Sequence, residues 1–258
     1  MSIAQLKAKI ISNKKFKHNY WRLEFDSGVI AKIAQPGQFV NIRVKEGLEP
    51  LLRRPVSISS VKGSKIGLFY EVIGIGTQIL SQKKSGQYLD LIGPLGQGFD
   101  YRPSTIDHRP ILISGGIGMA PLVFLAEKLQ NTKPLVLIGA RTKKQILCAR
   151  EFKALGCSVK IATDDGSAGF KGKVTDLLKQ LLSTIDHRLS TIYACGPYPM
   201  LKMVAQLAQE NKITAQLSLE EHMACGIGAC LGCEVLTKAG YKSVCKEGPV
   251  FFSEELIW

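Results

Sequence analysis

Four cysteines with ligand-like spacing lie near the end of this 258-residue sequence, in the stretch CGIGACLGCEVLTKAGYKSVC. Cys225, Cys230 and Cys233 form C-x4-C-x2-C, and Cys245 follows with eleven residues between it and Cys233. Three thiolates from one tight loop and a fourth returning on a hairpin is the plant-type spacing for a [2Fe–2S] cluster. Gly226, Gly228 and Gly232 sit between the ligands, where freedom at positive φ lets the backbone wrap a cluster and aim N–H groups at sulfur. A structural zinc site is the alternative, although it more often uses two C-x2-C knuckles, and unligated core cysteines are the other. His222 is read as a polar residue at a strand end, because four cysteines already complete the site. Seven cysteines in all, an odd number, fit a metal site in a reducing compartment better than a disulfide framework.

A second group of residues has the chemistry of anion binding. Gly115-Gly116-Ile117-Gly118-Met119-Ala120-Pro121 links an apolar run to a helical one, which places backbone N–H groups and a helix dipole where a pyrophosphate could sit. It is not G-x-G-x-x-G, so a tight turn without a ligand stands beside that reading. Cys195-Gly196-Pro197 ends a later strand, and ligands of open parallel sheets gather at the carboxyl ends of strands. Cys195 itself can be a small buried hydrophobe closing the strand, the commoner fate of a lone cysteine. Asp164 and Asp165 end another strand and read as turn caps before ribose ligands. In the first third of the chain, Arg53 and Arg54 open the run Pro55-Val56-Ser57-Ile58, and a planar guanidinium suits a diphosphate bidentately. Gly74-Ile75-Gly76-Thr77 then begins a helical TQILSQ segment, a further phosphate-binding N-terminus.

The elements that must carry these residues fall into two rhythms. Short β-type runs broken by Gly, Pro and polar turns occupy the first part: LKAKIIS, YWRLEF, GQFVNIRV, PVSISS, IGLFYEVI and YLDLI. They predict an antiparallel sheet or small barrel, with GPLGQGFDYRPS as its exit. From Arg109 strands alternate with helices: RPILIS with LVFLAEKLQ, PLVLIGA with ILCAREFKAL, SVKIAT with VTDLLKQLL, TIYACG with PMLKMVAQLAQE, and a last strand in ITAQLSLE. Unbroken apolar strands in that alternation predict a doubly wound parallel sheet. The segment after Glu221 is too short for a core of its own.

The net charge of +13 comes from scattered Lys and Arg, whose longest runs are pairs such as Lys14-Lys15 and Lys83-Lys84. Without aromatic interleaving this reads as a solvated basic face, and nucleic acid is not an expected partner. No apolar h-region opens the chain and no run reaches the length of a membrane span, so no membrane partner and a cytoplasmic location are expected. No catalytic carboxylate or histidine motif is found.

Taken in order, RRPVSI, GIGT, GGIGMAP, CGPYPM and CGIGACLGCEV with VCKEGPVF resemble the electron-transfer subunit of the NAD-using class of dihydroorotate dehydrogenase, within the ferredoxin–NADP reductase superfamily. The resemblance implies a flavin-binding β-barrel at 1–103, a central NAD-binding α/β domain at 104–215 and a small [2Fe–2S] lobe at 216–258. It implies that Arg54, Pro55, Val56 and Ser57 contact FAD, Arg54 at the diphosphate and Ser57 near the isoalloxazine, with Tyr70, Glu71, Val72, Gly76 and Thr77 completing that site. Many superfamily members carry a flavin-stacking aromatic at the position of Val56, whereas the orotate-linked branch is similar to this chain in its aliphatic residue. Gly115, Gly116, Gly118, Cys195, Gly196 and Pro197 would meet NAD, and Cys225, Cys230, Cys233 and Cys245 the cluster. The implied partner is an FMN-containing catalytic subunit in a two-plus-two heterotetramer, which holds the base for dihydroorotate. The implied electron route runs from NADH through FAD and the cluster to that FMN, in the service of pyrimidine biosynthesis. A flavin and iron–sulfur subunit of an NAD(P)H:ferredoxin reductase or sulfur reductase is the related alternative, and a zinc-stabilised nucleotide-binding regulator is the alternative outside redox chemistry. The basic Arg141-Thr142-Lys143-Lys144 leaves NADH and NADPH both open, with NADH preferred.

Overall fold

The computed structural model describes residues 3–101, 109–183 and 190–258, so the expected boundary at 103/104 lies outside the described residues. Contacts divide the chain into two compact units. The first takes residues 1–98, 221–235 and 242–249; the second takes 99–220, 236–241 and 250–258. The cysteine-rich segment is thus shared between them, and all four ligand-spaced cysteines belong to the first.

The first unit is built on β1 (Ala4–Lys17), β2 (Tyr20–Asp26), β3 (Phe39–Arg43), β4 (Arg54–Lys62), β5 (Lys65–Glu71) and β6 (Tyr88–Leu95). They close into a barrel in the order β1-β2-β5-β4-β3-β6. Closure depends on the length of β1, which pairs antiparallel with β6 from Ala4 to Lys9 and with β2 from Lys9 to Lys17. A register shift between Ile10 and Ser12 lies where one pairing hands over to the other, and an extra residue there bends the strand. Alternation fills the interior with Ile10, Leu23, Phe25, Ile42, Ile58, Leu68 and Leu91, each at most 1% exposed. Two helices adjoin the barrel strands, α1 (Gly28–Ile33) and α2 (Ile75–Gln82). The sequence reading missed α1, a six-residue helix capped by Ser27, whose Oγ accepts from the Ile30 N–H at 3.3 Å.

The second unit carries β7 (Ile111–Gly115), α3 (Met119–Lys128), β8 (Leu135–Ala140), α4 (Ala149–Ala154), β9 (Ser158–Thr163), β10 (Phe170–Lys171), α5 (Val174–Leu182), β11 (Thr191–Cys195), α6 (Tyr198–Glu210) and β12 (Thr214–Ser218). After the hairpin β13 (Glu234–Thr237) and β14 (Gly240–Ser243), the last strand β15 (Val250–Phe252) returns to this sheet. The sheet order is β10-β9-β8-β7-β11-β12-β15. Strand order reverses between β7 and β11, which pair in parallel, and that is the switch point where ligands of such sheets bind. The strands expected here pair in parallel. The sequence reading did not foresee β15, which adds an antiparallel edge on β12 through Leu217 and Phe251. Helix α4 begins at Ala149 instead of Ile146, because Cys148 at φ 51 is left-handed and cannot continue a helix backwards. No helix among the described residues is long and apolar enough to cross a membrane.

Candidate functional site

The cysteine loop already directs backbone donors at sulfur. Within the barrel unit, Ile227 N and Ala229 N donate to Cys225 Sγ at 3.5 and 3.3 Å, Gly228 N to Cys245 Sγ at 3.1 Å, and Cys245 N to Cys233 Sγ at 3.4 Å. Positive φ at Gly226 (73°), Gly228 (78°) and Leu231 (58°) turns the chain so that these N–H groups face inward. Burial raises the Cys225 thiol, but the donors from Ile227, Ala229 and Cys230 outweigh it and hold that thiol down at about 6. Burial and the neighbouring Cys233 push Cys245 up to about 12, against the Gly228 donor. Cys233 and Cys245 are buried, Cys225 is half-buried and Cys230 is exposed. Among the described residues no three His, Cys, Asp or Glu side chains converge on one metal-ion position. A [2Fe–2S] cluster does not require that, since its four thiolates divide between two irons. Donors aimed at three of the four sulfurs are what a cluster's thiolates need to tune their charge, and the residues fit the group.

The same unit holds the expected flavin residues. The two arginines separate in role. Arg53 Nη2 pairs with Asp90 Oδ1 at 2.9 Å, while Nη1 donates to the Asp90 carbonyl at 3.0 Å, so this side chain braces the barrel. Arg54 has no carboxylate in ion-pair range among the described residues and donates to the carbonyls of Leu52 and Arg53. Its guanidinium lies over Gly76, where a Cβ would stand 2.2 Å from Nε, so a side chain there would push the guanidinium off this position. Arg54 and Gly76 are therefore brought together as expected of a diphosphate clamp. Thr77 Oγ1 accepts from Ile73 N at 3.0 Å and Gly74 N at 3.3 Å, closing the start of α2. On β4, Pro55 is exposed, Ser57 half-buried and Val56 buried opposite Val40. Tyr70 is buried too. Its ring stacks on Trp21 and its hydroxyl donates to Asn13 Oδ1 at 2.9 Å, and burial raises its phenol further than that bond lowers it. Glu71 ends β5 half-buried, and the Val72 N–H is held by the Asn19 carbonyl at 2.8 Å.

In the second unit the two glycine turns pack directly on each other. A Cβ at Gly118 would meet the Cys195 carbonyl oxygen at 2.2 Å, one at Gly115 would meet Pro197 Cδ at 2.8 Å, and one at Gly196 would meet Met200 Cε at 2.6 Å. Gly116, at φ +57, has open space where a Cβ would point. Just before this turn, Ser114 Oγ is buried without a hydrogen-bond partner among the described residues. An orphaned hydroxyl beside an open glycine at the switch point fits a bound dinucleotide. Burial pushes the Cys195 thiol up to about 12 despite its bond to Ser218, which disfavours the thiolate a nucleophile would need.

Known proteins fit this geometry. Residues 220–257 match the model described as the iron–sulfur cluster binding domain of dihydroorotate dehydrogenase B, a span that includes all four cysteines. Residues 112–206 match the oxidoreductase NAD-binding domain and span both glycine turns. A dihydroorotate dehydrogenase B (NAD(+)) electron transfer subunit from Desulforamulus reducens is 42% identical over 97% of this chain and 97% of its own length. This chain belongs to the dihydroorotate dehydrogenase B electron transfer subunit family. A second such subunit, from Caldanaerobacter subterraneus, is 36% identical over 98% of this chain and 99% of its own. Among solved structures, one of the NADH-dependent reduced ferredoxin-NADP oxidoreductase, described for flavin-based electron bifurcation, superposes with a TM-score of 0.86 at 31% identity over 97% of this chain and 90% of that chain. A ferredoxin NADP+ reductase from Neisseria gonorrhoeae, with FAD and NADP bound, shares the fold at TM-score 0.68 and 18% identity, over 80% of this chain and 91% of that one. As a dihydroorotate dehydrogenase B electron transfer subunit, the chain is an oxidoreductase subunit that works with a catalytic partner.

One residue of the site escaped the sequence reading. Asn41, in the middle of β3 and fully buried, donates from Nδ2 to the Cys225 carbonyl at 3.4 Å. A lone amide inside the apolar run FVNIR was the signal for it.

Proposed function

We propose that this subunit takes electrons from NADH, passes them through FAD and a [2Fe–2S] cluster, and delivers them to the FMN of a dihydroorotate dehydrogenase catalytic subunit, in a cytoplasmic two-plus-two heterotetramer. The reading assigns 1–103 to FAD, 104–215 to NAD and 216–258 to the cluster. The observation that carries it is the barrel unit's own content: the Arg54–Gly76 clamp and a cysteine loop with N–H groups aimed at three sulfurs lie in one compact unit. Bound FAD would supply the conversion of a two-electron hydride into single electrons, which the cluster can carry onward.

The chain's own residues bind and orient. Arg54 presents a planar fork to a diphosphate, and Pro55, Val56, Ser57, Tyr70, Glu71 and Val72 line the neighbouring strands, with Val56 and Tyr70 contributing backbone because their side chains are buried. Gly115, Gly116 and Gly118, with Cys195, Gly196 and Pro197, form the floor for the nicotinamide dinucleotide. Cys225, Cys230, Cys233 and Cys245 hold the cluster, and the N–H groups of 227–229 and 245 lower the charge on their sulfurs. No side chain on this chain needs to move a proton for the relay.

The test is purification of the chain with whatever protein accompanies it. Flavin and iron–sulfur absorption, and recovery with an FMN protein that turns over dihydroorotate at the expense of NAD, is the expected result. Recovery with a large ferredoxin-type reductase, or a colourless protein, overturns it. Identity of 42% and 36% to dihydroorotate dehydrogenase subunits, against 31% to the ferredoxin-NADP enzyme, favours the first outcome. Steady-state rates with NADH and NADPH settle the donor.

A further inference from the structure

Asn41 stands where the two redox regions of the barrel unit meet. In the ladder it lies opposite Pro55 on β4, inside the stretch Arg54 to Ser57 that carries the flavin reading. Its side chain leaves that strand pair for the cysteine loop, where Nδ2 donates to the carbonyl of Cys225. The next residue, Gly226, packs on the same amide: a Cβ there would lie 2.4 Å from Asn41 Nδ2, and its φ is +73. The Asn41 main chain is braced in turn, because Arg53 Nη1 reaches its carbonyl at 3.5 Å while the same guanidinium is anchored on Asp90. A continuous hydrogen-bonded path thus runs from the Asp90–Arg53 pair, through the backbone and side chain of Asn41, to the first cluster ligand.

An amide in this place is expensive for the fold alone. Asn41 is 0% exposed between Val40 and Ile42, and its Oδ1 is buried without a partner among the described residues. A buried acceptor left unpaired costs free energy that an apolar residue of the same shape would not. At 3.4 Å its one bond to the loop is long for N–H···O, so it adds little stability in return. What the residue does set is how closely the loop approaches β3, because Gly226 packs directly on its amide.

We propose that Asn41 is a positioning residue for electron transfer, whose buried amide holds the Cys225–Gly226 backbone at a set distance from the strand carrying Arg54 to Ser57. The proposal rests on the flavin and cluster reading given above. Each transfer moves one electron from reduced flavin to one ferric ion of the cluster, with NADH as the source of both electrons. Its rate depends steeply on that spacing.

Asn41→Leu tests it in the full chain purified with its catalytic partner. Leucine keeps the shape and removes both polar ends, so the fold survives. Expected are unchanged iron content and flavin reduction by NADH within about twofold of wild type. Flavin-to-cluster transfer in stopped flow should slow by about tenfold or more, with altered g-values of the reduced cluster in low-temperature electron paramagnetic resonance. If the leucine variant does not fold, Asn41→Val, which also lacks both polar ends and suits a strand, is read in the same way. An unchanged transfer rate with an unaltered resonance spectrum overturns the proposal. Loss of iron from both variants also overturns it, because the residue would then be needed to build the site, not to set its spacing. A wild-type chain with no flavin absorption or no reduced-cluster signal is a different result, and it sinks the underlying reading together with the proposal.

Discussion

Glycine punctuates both the cysteine loop and the two nucleotide turns, and it is needed for different reasons. In the loop, Gly226 and Gly228 adopt φ of 73° and 78°, and the backbone they turn delivers N–H groups to sulfur. In the turns, Gly115, Gly118 and Gly196 have no space for a Cβ, because the end of β7 packs against the end of β11. None of these three has positive φ, and of the turn glycines only Gly116 does. The turns are shaped by sheet packing and are complete in the polypeptide. The loop is shaped by bonds from its own N–H groups to its thiols, and its apolar Ile227 and Leu231 stay 45% and 58% exposed. Metal-dependent order is expected of the cysteine loop and not of the nucleotide turns.

The largest expected effect breaks the loop alone. Cys230→Ala, at the exposed ligand, should abolish the reduced-cluster resonance and lower dihydroorotate-linked NADH turnover by about 100-fold or more, while flavin reduction by NADH persists. Hydrogen exchange should show lost protection over 225–245 with β7 and β11 unaffected. Undiminished turnover would place the cluster off the path, and lost protection in β7 would erase the distinction between the two regions. The turn is broken next. In Gly118→Ala the new Cβ meets a backbone carbonyl at 2.2 Å, which cannot swing aside as a side-chain tip would. A loss of about 3 kcal/mol in stability is expected, since overpacking costs about 1–3 kcal/mol and backbone contacts lie at the upper end. Denaturant titration of the chain without added cofactor measures it, and an unchanged midpoint would mean the turns are not preformed.

The contrast also explains what could be seen in the sequence. The four cysteines were legible because ligand spacing is local, all within 225–245. All six barrel strands were legible from alternation and turn residues, and VTDLLKQLL coincides with α5. Asn41 was not, because its partner Cys225 is 184 residues away and nothing local marks a long-range bond. Strand β15 escaped for the same reason, being three residues whose only distinction is the edge of β12 they pair with. Helix α1 was too short for periodicity, and α4 was overextended because a left-handed cysteine carries no sequence signature. The bracing of the barrel by Arg53 was likewise invisible, since Asp90 lies 37 residues on.

Arg54 and Gly76 sharpen the comparison, because here a glycine is packed closely against the end of a long side chain and not against backbone. Arg54→Lys keeps the charge and loses the fork, so FAD should bind about tenfold more weakly, in line with about 1.5–3 kcal/mol for hydrogen bonds to charged groups partly retained by the ammonium. Fluorescence titration of the deflavinated chain measures this, and equal affinity would remove Arg54 from the diphosphate.

The smallest effect separates cap from clamp in the same segment. Thr77 Oγ1 accepts from the N–H groups of Ile73 and Gly74 and donates to the Gly74 carbonyl, so the start of α2 is satisfied by the chain itself. If that helix start is of the packed kind, Thr77→Val costs only the lost cap, about 1 kcal/mol, or about 2–4 °C in Tm. FAD affinity should then fall no further than that same energy. A larger loss of FAD affinity than of stability would mean that Thr77 turns its hydroxyl to the flavin when it binds, and that the start of α2, like the cysteine loop, takes its final form from its ligand.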